Sequence, residues 1–126
     1  MKKSLLLQFC EIFWPCKREK KAREDYELGK SFTNQGGPVN EQTGVQYYEA
    51  AAYGGHAAAQ YELGCRYARG RGVRKDEAKA VEWYQKSADQ GYAGAQINLG
   101  LMYADGRVVP KDEAKADQWF QNTAIP

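Results

Sequence analysis

Histidine occurs once in this 126-residue chain, at position 56, and cysteine three times, at positions 10, 16 and 65. A serine or cysteine nucleophile needs a base held by a third group, and a single imidazole supplies no such set. Zinc fares no better, because one histidine and three scattered cysteines show no ligand pairs of the usual spacing. The glycines contain no phosphate-loop pattern of the GxxxxGK[ST] type. Asp76 and Asp112 read as helix caps rather than catalytic carboxylates. No catalytic residue, metal or cofactor is therefore expected. Arg66, Arg69, Arg71, Arg74 and Lys75 could grip phosphates. Asp105 and Pro110 replace Arg69 and Arg74 in the corresponding positions further along, so the string reads as a solvated charged edge and no nucleic-acid partner is expected.

Asp76 and Asp112 stand 36 residues apart, and so does everything around them. Residues 59–88 and 95–124 agree at 18 of 30 positions, among them Ala59-Gln60, Leu63-Gly64, Tyr67-Ala68, Gly70-Arg71, Lys75 to Ala80, Trp83, Gln85 and Ala88. A period of this length denotes stacked supersecondary units, each unable to bury its apolar face alone. Each unit reads as helix A, loop, helix B. Helix A of the second unit runs over 57–69 and stops at Gly70, a residue suited to the left-handed conformation that closes helices. Asp76 then caps helix B, with Glu77 favourable in its first turn. His56 occupies the turn position that Tyr92 holds in the next unit, which makes it a structural turn residue.

A first, degenerate unit precedes these two. Tyr26-Glu27-Leu28-Gly29 and Phe32 echo Tyr61-Glu62-Leu63-Gly64 and Tyr67, and Val45, Tyr47, Tyr48 and Ala52 echo Val81, Trp83, Tyr84 and Ala88. Its loop is built on Gly36-Gly37-Pro38. Gly44 stands where the other units have Ala80 and Ala116, so the least regular helix B is expected here.

The net charge of +2 divides unevenly: residues 1–23 carry seven Lys or Arg against Glu11 and Glu19, leaving the repeats mildly acidic. Residues 1–23 form a leader distinct from the repeat domain at 24–126. Within it Leu5, Leu6, Phe9, Ile12 and Phe13 share one face of an amphipathic helix expected to end near Pro15, before a helical pattern resumes at about Glu19. That face either docks on the first repeat as a cap or lies on a membrane surface or partner, flanked by Lys17, Arg18, Lys20, Lys21 and Arg23. An export signal is the third reading, opposed by Gln8, Glu11 and the lack of a small-x-small cleavage site. About ten apolar residues are too few to span a bilayer, which takes roughly 20. The odd cysteine count argues against a disulfide-stapled scaffold and for a reducing, cytoplasmic setting, or the inner face of the membrane if the leader binds lipid.

The positions Ala59-Gln60-Tyr61, Leu63-Gly64, Tyr67, Gly70-x-Gly72-Val73, Asp76, Lys79-Ala80, Trp83-Tyr84 and Ala88, with their third-unit counterparts, resemble the Sel-one-like repeat, a relative of the tetratricopeptide repeat. The likeness is strong over 57–124 and weak over 24–56, giving units at about 24–56, 57–92 and 93–126. Val108 departs from the pattern at the second loop glycine. The resemblance implies an all-α solenoid, a right-handed superhelix of antiparallel helix pairs whose concave surface, lined by helix A, binds a protein or peptide. Such proteins serve as adaptors, and short bacterial examples beside toxins suggest immunity proteins.

Positions that hold the superhelix together should repeat, and those that read a partner should vary. Aligning Leu28, Leu63 and Leu99 gives three variable rows: Glu27, Glu62 and Asn98; Lys30, Cys65 and Leu101; Asn34, Arg69 and Asp105. These rows are expected to face the partner, with Leu101 and Met102 as a soft apolar patch and Arg69 as a charged anchor. The function expected is thus a non-enzymatic interaction module, the alternative being a membrane-peripheral scaffold held by residues 1–23. The chain ends two residues after the last helix B, which makes its C-terminal face a candidate for self-association. About three repeats are usually needed for stability, so the first repeat, the leader or self-association is expected to contribute to folding.

Overall fold

The computed structural model describes residues 5–106 and 108–123, with side chains from Lys17 onward. The described residues form six helices and no strand: α1 (Leu5–Gln35), α2 (Pro38–Tyr53), α3 (Ala57–Arg69), α4 (Glu77–Asp89), α5 (Ala93–Asp105) and α6 (Glu113–Thr123). Each helix packs chiefly on its neighbours in the chain, so α1/α2, α3/α4 and α5/α6 are the three repeats and α2/α3 and α4/α5 the joints between them.

The repeated residues make the repeated contacts. Helices α3 and α5 end on Gly70 and Gly106, whose φ values of 69° and 64° lie in the left-handed region that other residues enter at a cost. Asp76 accepts from the backbone N–H of Lys79 at 3.1 Å and Asp112 from that of Lys115 at 3.0 Å, closing the starts of α4 and α6. His56 is a cap as well, its Nδ1 accepting from the N–H of Ala59 at 3.2 Å while the ring stacks on Tyr26 at 4.6 Å. Tyr92, in the equivalent place, makes no side-chain cap and instead packs its ring on Tyr61 at 5.1 Å.

The Ala-Gln pair explains itself at the joints. Gln60 donates its Nε2 to the carbonyl of Ala52 at 3.1 Å, and Gln96 does the same to Ala88 at 3.2 Å, so a buried amide satisfies the last turn of the preceding helix. Gln90 closes the first of these, donating to Gln60 Oε1 at 2.8 Å. Leu63 and Leu99 are fully buried at the centres of two apolar clusters.

The Leu-Gly pair has a different logic. A Cβ placed on Gly64 would lie 2.8 Å from the Tyr84 ring, on Gly100 2.6 Å from the Phe120 ring, and on Gly29 2.7 Å from the Tyr48 ring. Every odd-numbered helix therefore gives up a side chain so that the aromatic ring of the following helix can lie against its backbone.

Three expectations are corrected. Helix α1 continues through Pro15 instead of ending there; an interior proline removes one hydrogen bond and crowds the carbonyl four residues earlier, costs that a helix of 31 residues absorbs without ending. Helix α2, starting on Pro38, runs unbroken for 16 residues and is the longest of the even-numbered helices, so Gly44 does not interrupt it. Gly44 serves that helix by removing bulk, since a Cβ there would lie 2.4 Å from Thr33 Cγ2 and 3.0 Å from the carbonyl of Gly29. Leu28, aligned with Leu63 and Leu99, is 44% exposed because, among the described residues, α1 packs chiefly on α2, whereas α3 and α5 each pack between two helices.

Candidate protein-binding face

On α3 the buried residues Ala59, Gln60, Leu63 and Gly64 occupy one side. At 100° per residue, Glu62, Cys65 and Arg69 fall on the opposite side. The same arithmetic places Glu27, Lys30 and Asn34 on α1, and Asn98, Leu101 and Asp105 on α5. Of these, Glu27, Asn34, Arg69, Leu101 and Asp105 are exposed, while Lys30, Glu62, Cys65 and Asn98 are half-buried. Met102 differs from the expectation: only 8% exposed, it packs into the second apolar cluster beside Leu99 and Tyr84. Leu101, 51% exposed, is the free half of the anticipated patch, and Met102 is its floor.

Between α3 and α5 lies a hollow of about 230 Å³, lined by Ala68, Tyr84, Asn98, Leu101, Met102 and Asp105. Tyr84 reaches it from α4 by crossing Gly64, and its hydroxyl donates to Cys65 Sγ at 3.3 Å. Burial first, and then the contact with Cys65, push the Tyr84 hydroxyl far above its ordinary pKa, so it remains a proton donor. Tyr48 crosses Gly29 in the same manner and shares a 3.1 Å hydrogen bond with Thr33 Oγ1. Burial raises this hydroxyl also. Burial, reinforced by the charge of Glu62, pushes Tyr26 up to about 12.

The charges on this face are of both signs. Lys30 pairs with Glu27 at 3.0 Å and sits 4.9 Å above the Tyr26 ring. The basic string of α3 and its loop does not form a single edge. Arg71 crosses to Glu41 of α2 at 2.9 Å, Arg74 and Lys75 line a hollow beside Tyr67 and Lys79, and Arg66 turns inward over Tyr48 at 5.9 Å. Sequence reasoning grouped Arg66 with the edge. Its alignment with Ser31 and Met102 was the available signal, since it marked position 66 as one that changes between repeats.

Among the described residues, no three His, Cys, Asp or Glu side chains gather as metal ligands, and no helix is long and apolar enough to cross a membrane. The family model for the Sel1 repeat matches residues 26–56, 57–92 and 93–124. The chain belongs to the Sel1 repeat family. A solved Sel1 repeat protein from Oxalobacter formigenes is 31% identical with a TM-score of 0.78, over 83% of this chain and 44% of that one. The protective antigen c5321 of uropathogenic Escherichia coli, which displays the same fold, is 33% identical with a TM-score of 0.75, over 96% of this chain and 25% of that one. The chain thus spans less than half the length of either relative. No curated protein sequence matches it. Sel1 repeat proteins generally mediate protein–protein interaction.

Proposed function

We propose that this Sel1 repeat chain is a non-enzymatic module that binds a protein or peptide across the face of α1, α3 and α5. The observation that carries the reading is the division of labour along those helices. The Ala-Gln and Leu-Gly pairs common to α3 and α5 are buried in joints and ring contacts, while Glu62, Cys65 and Arg69 change to Asn98, Leu101 and Asp105, the last three of which line a hollow. Leu101 offers an exposed apolar contact at its rim, and Arg69 on α3 a charged anchor of a residue type common at hot spots. An adaptor or an immunity protein would use such a face in the same way. A cytoplasmic setting fits the free thiol of Cys65. The test is recovery of partners from the native lysate by the wild type beside an Arg69→Glu, Leu101→Glu double variant of equal melting temperature. A partner held by the first and lost by the second supports the reading, and equal recovery by both refutes it.

A second reading has one observation in its favour. Lys17, Arg18, Glu19, Lys20 and Lys21 are all exposed, and five consecutive helical residues cover every direction around the axis. The basic part of α1 is therefore solvated on all sides, as attachment to an anionic membrane surface would require. Co-sedimentation of the full chain with phosphatidylserine vesicles tests this. Salt-sensitive binding lost in a Lys17→Glu, Lys20→Glu variant supports it, and binding by neither protein refutes it.

A further inference from the structure

The slot between one odd-numbered helix and the next is filled in two contrasting ways. At the joint of the second and third repeats the residue in the slot is Met102, packed into the apolar cluster. At the joint of the first and second repeats the residue in register is Arg66, whose Nη1 is buried and has no hydrogen-bond partner. Its guanidinium lies over the Tyr48 ring at 5.9 Å and interacts with the Tyr48 hydroxyl, contacts that leave its charge without a carboxylate. Among the described residues no ion pair joins it to Glu62, one turn earlier on α3, or to any other carboxylate. Arg69, one turn later, is exposed and likewise makes no ion pair among them.

A half-buried guanidinium with no carboxylate partner and one unsatisfied nitrogen is costly, and the third repeat shows that an apolar side chain fits this slot. A fork of planar N–H donors matches a carboxylate in geometry as well as charge. Building on the proposed binding face, we infer that the Arg66 slot, with Arg69 beside it, receives an acidic side chain of an extended segment of the protein partner. Thr33 and the Tyr48 hydroxyl, joined at 3.1 Å, border the slot with further polar groups. Lys30, already held by Glu27, contributes less.

The test is selection from a library of random peptides displayed internally, without a free C-terminus, on the full chain. The selected peptides are then measured against Arg66→Met, Arg66→Lys and Leu101→Glu. Methionine is the residue that the fold accepts at position 102, so Arg66→Met should melt at or above the wild-type temperature. Selected peptides enriched in Asp or Glu, bound about tenfold or more weakly by Arg66→Met and less severely by Arg66→Lys, support the inference. Peptides that are lost with Leu101→Glu but carry no acidic enrichment, or bind Arg66→Met as tightly as the wild type, overturn it and leave the binding face standing. No selectable peptide, or peptides indifferent to both positions, overturns both.

Discussion

Replacing Gly64 by alanine sets two effects against each other. Alanine is the better helix former by about 1 kcal/mol in the interior of a helix. Its methyl group would lie 2.8 Å from both Cδ1 and Cε1 of Tyr84 and 3.3 Å from the carbonyl of Ala80, where carbon atoms need close to 3.5–4.0 Å. The ring has little freedom to retreat, because Tyr84 is 4% exposed and its hydroxyl is held by Cys65. Overpacking of this kind costs about 1–3 kcal/mol. The clash therefore wins, and Gly64→Ala is expected to be less stable by about 1 kcal/mol net, or about 4 °C in Tm for a chain of this size. Gly94→Ala is the matched control: it too is helical, but its nearest neighbour would be the Tyr61 ring at 3.2 Å, a tenth-scale adjustment for a half-buried side chain. That variant should be neutral or gain up to about 1 kcal/mol. Thermal and urea unfolding of both variants decide the matter. If Gly64→Ala proves as stable as wild type, the ring yields freely and the account of the Leu-Gly signature is wrong.

Gln60→Met should cost about 0.5–1.5 kcal/mol, because the carbonyl of Ala52 keeps the N–H of Gly55 at 3.0 Å but loses the amide of Gln60, and the exposed Gln90 loses its partner to water; urea titration reads the loss. Asp76→Ala should cost about 1 kcal/mol through the lost cap of α4, whereas Asp76→Asn should cost far less in the same unfolding assay. His56 supplies the pH dependence. Burial holds its folded pKa below the ordinary 6.5, so the folded state resists a proton that the unfolded state accepts. Its contribution is complete above about pH 6.5 and declines as the pH falls from there toward the folded pKa. Melting temperatures measured downward from pH 7.5 should fall more steeply for the wild type than for His56→Asn, and equal slopes would refute this assignment.

The repeat itself was legible because its contacts recur. A residue kept at intervals of 36, such as Gln60 and Gln96 or Asp76 and Asp112, reports an interaction made twice, and the helix ends followed from Gly70 and Asp76 alone. What could not be read was anything that depends on a neighbour's shape. Gly44 looks like a weak point in a helix until Thr33 is seen against it. Met102 and Leu101 are adjacent and similarly apolar, and only the angle of α5 separates core from surface. Arg66 was misplaced for the same reason: a run of basic residues reads as one feature in the chain, but three directions are available to it in space.

The rings that cross the helix-A glycines join two layers that otherwise have separate tasks. Tyr48 and Tyr84 are anchored in even-numbered helices, yet their hydroxyls border the slot and the hollow of the opposite layer. In the third repeat Phe120 lies against Gly100 in the same way and brings no hydroxyl. A single oxygen atom at these positions thus adds or deletes a hydrogen bond just beneath that face while the packing is conserved. The helix-A face can therefore be altered from its reverse side, by substitutions that no comparison of surface residues would detect.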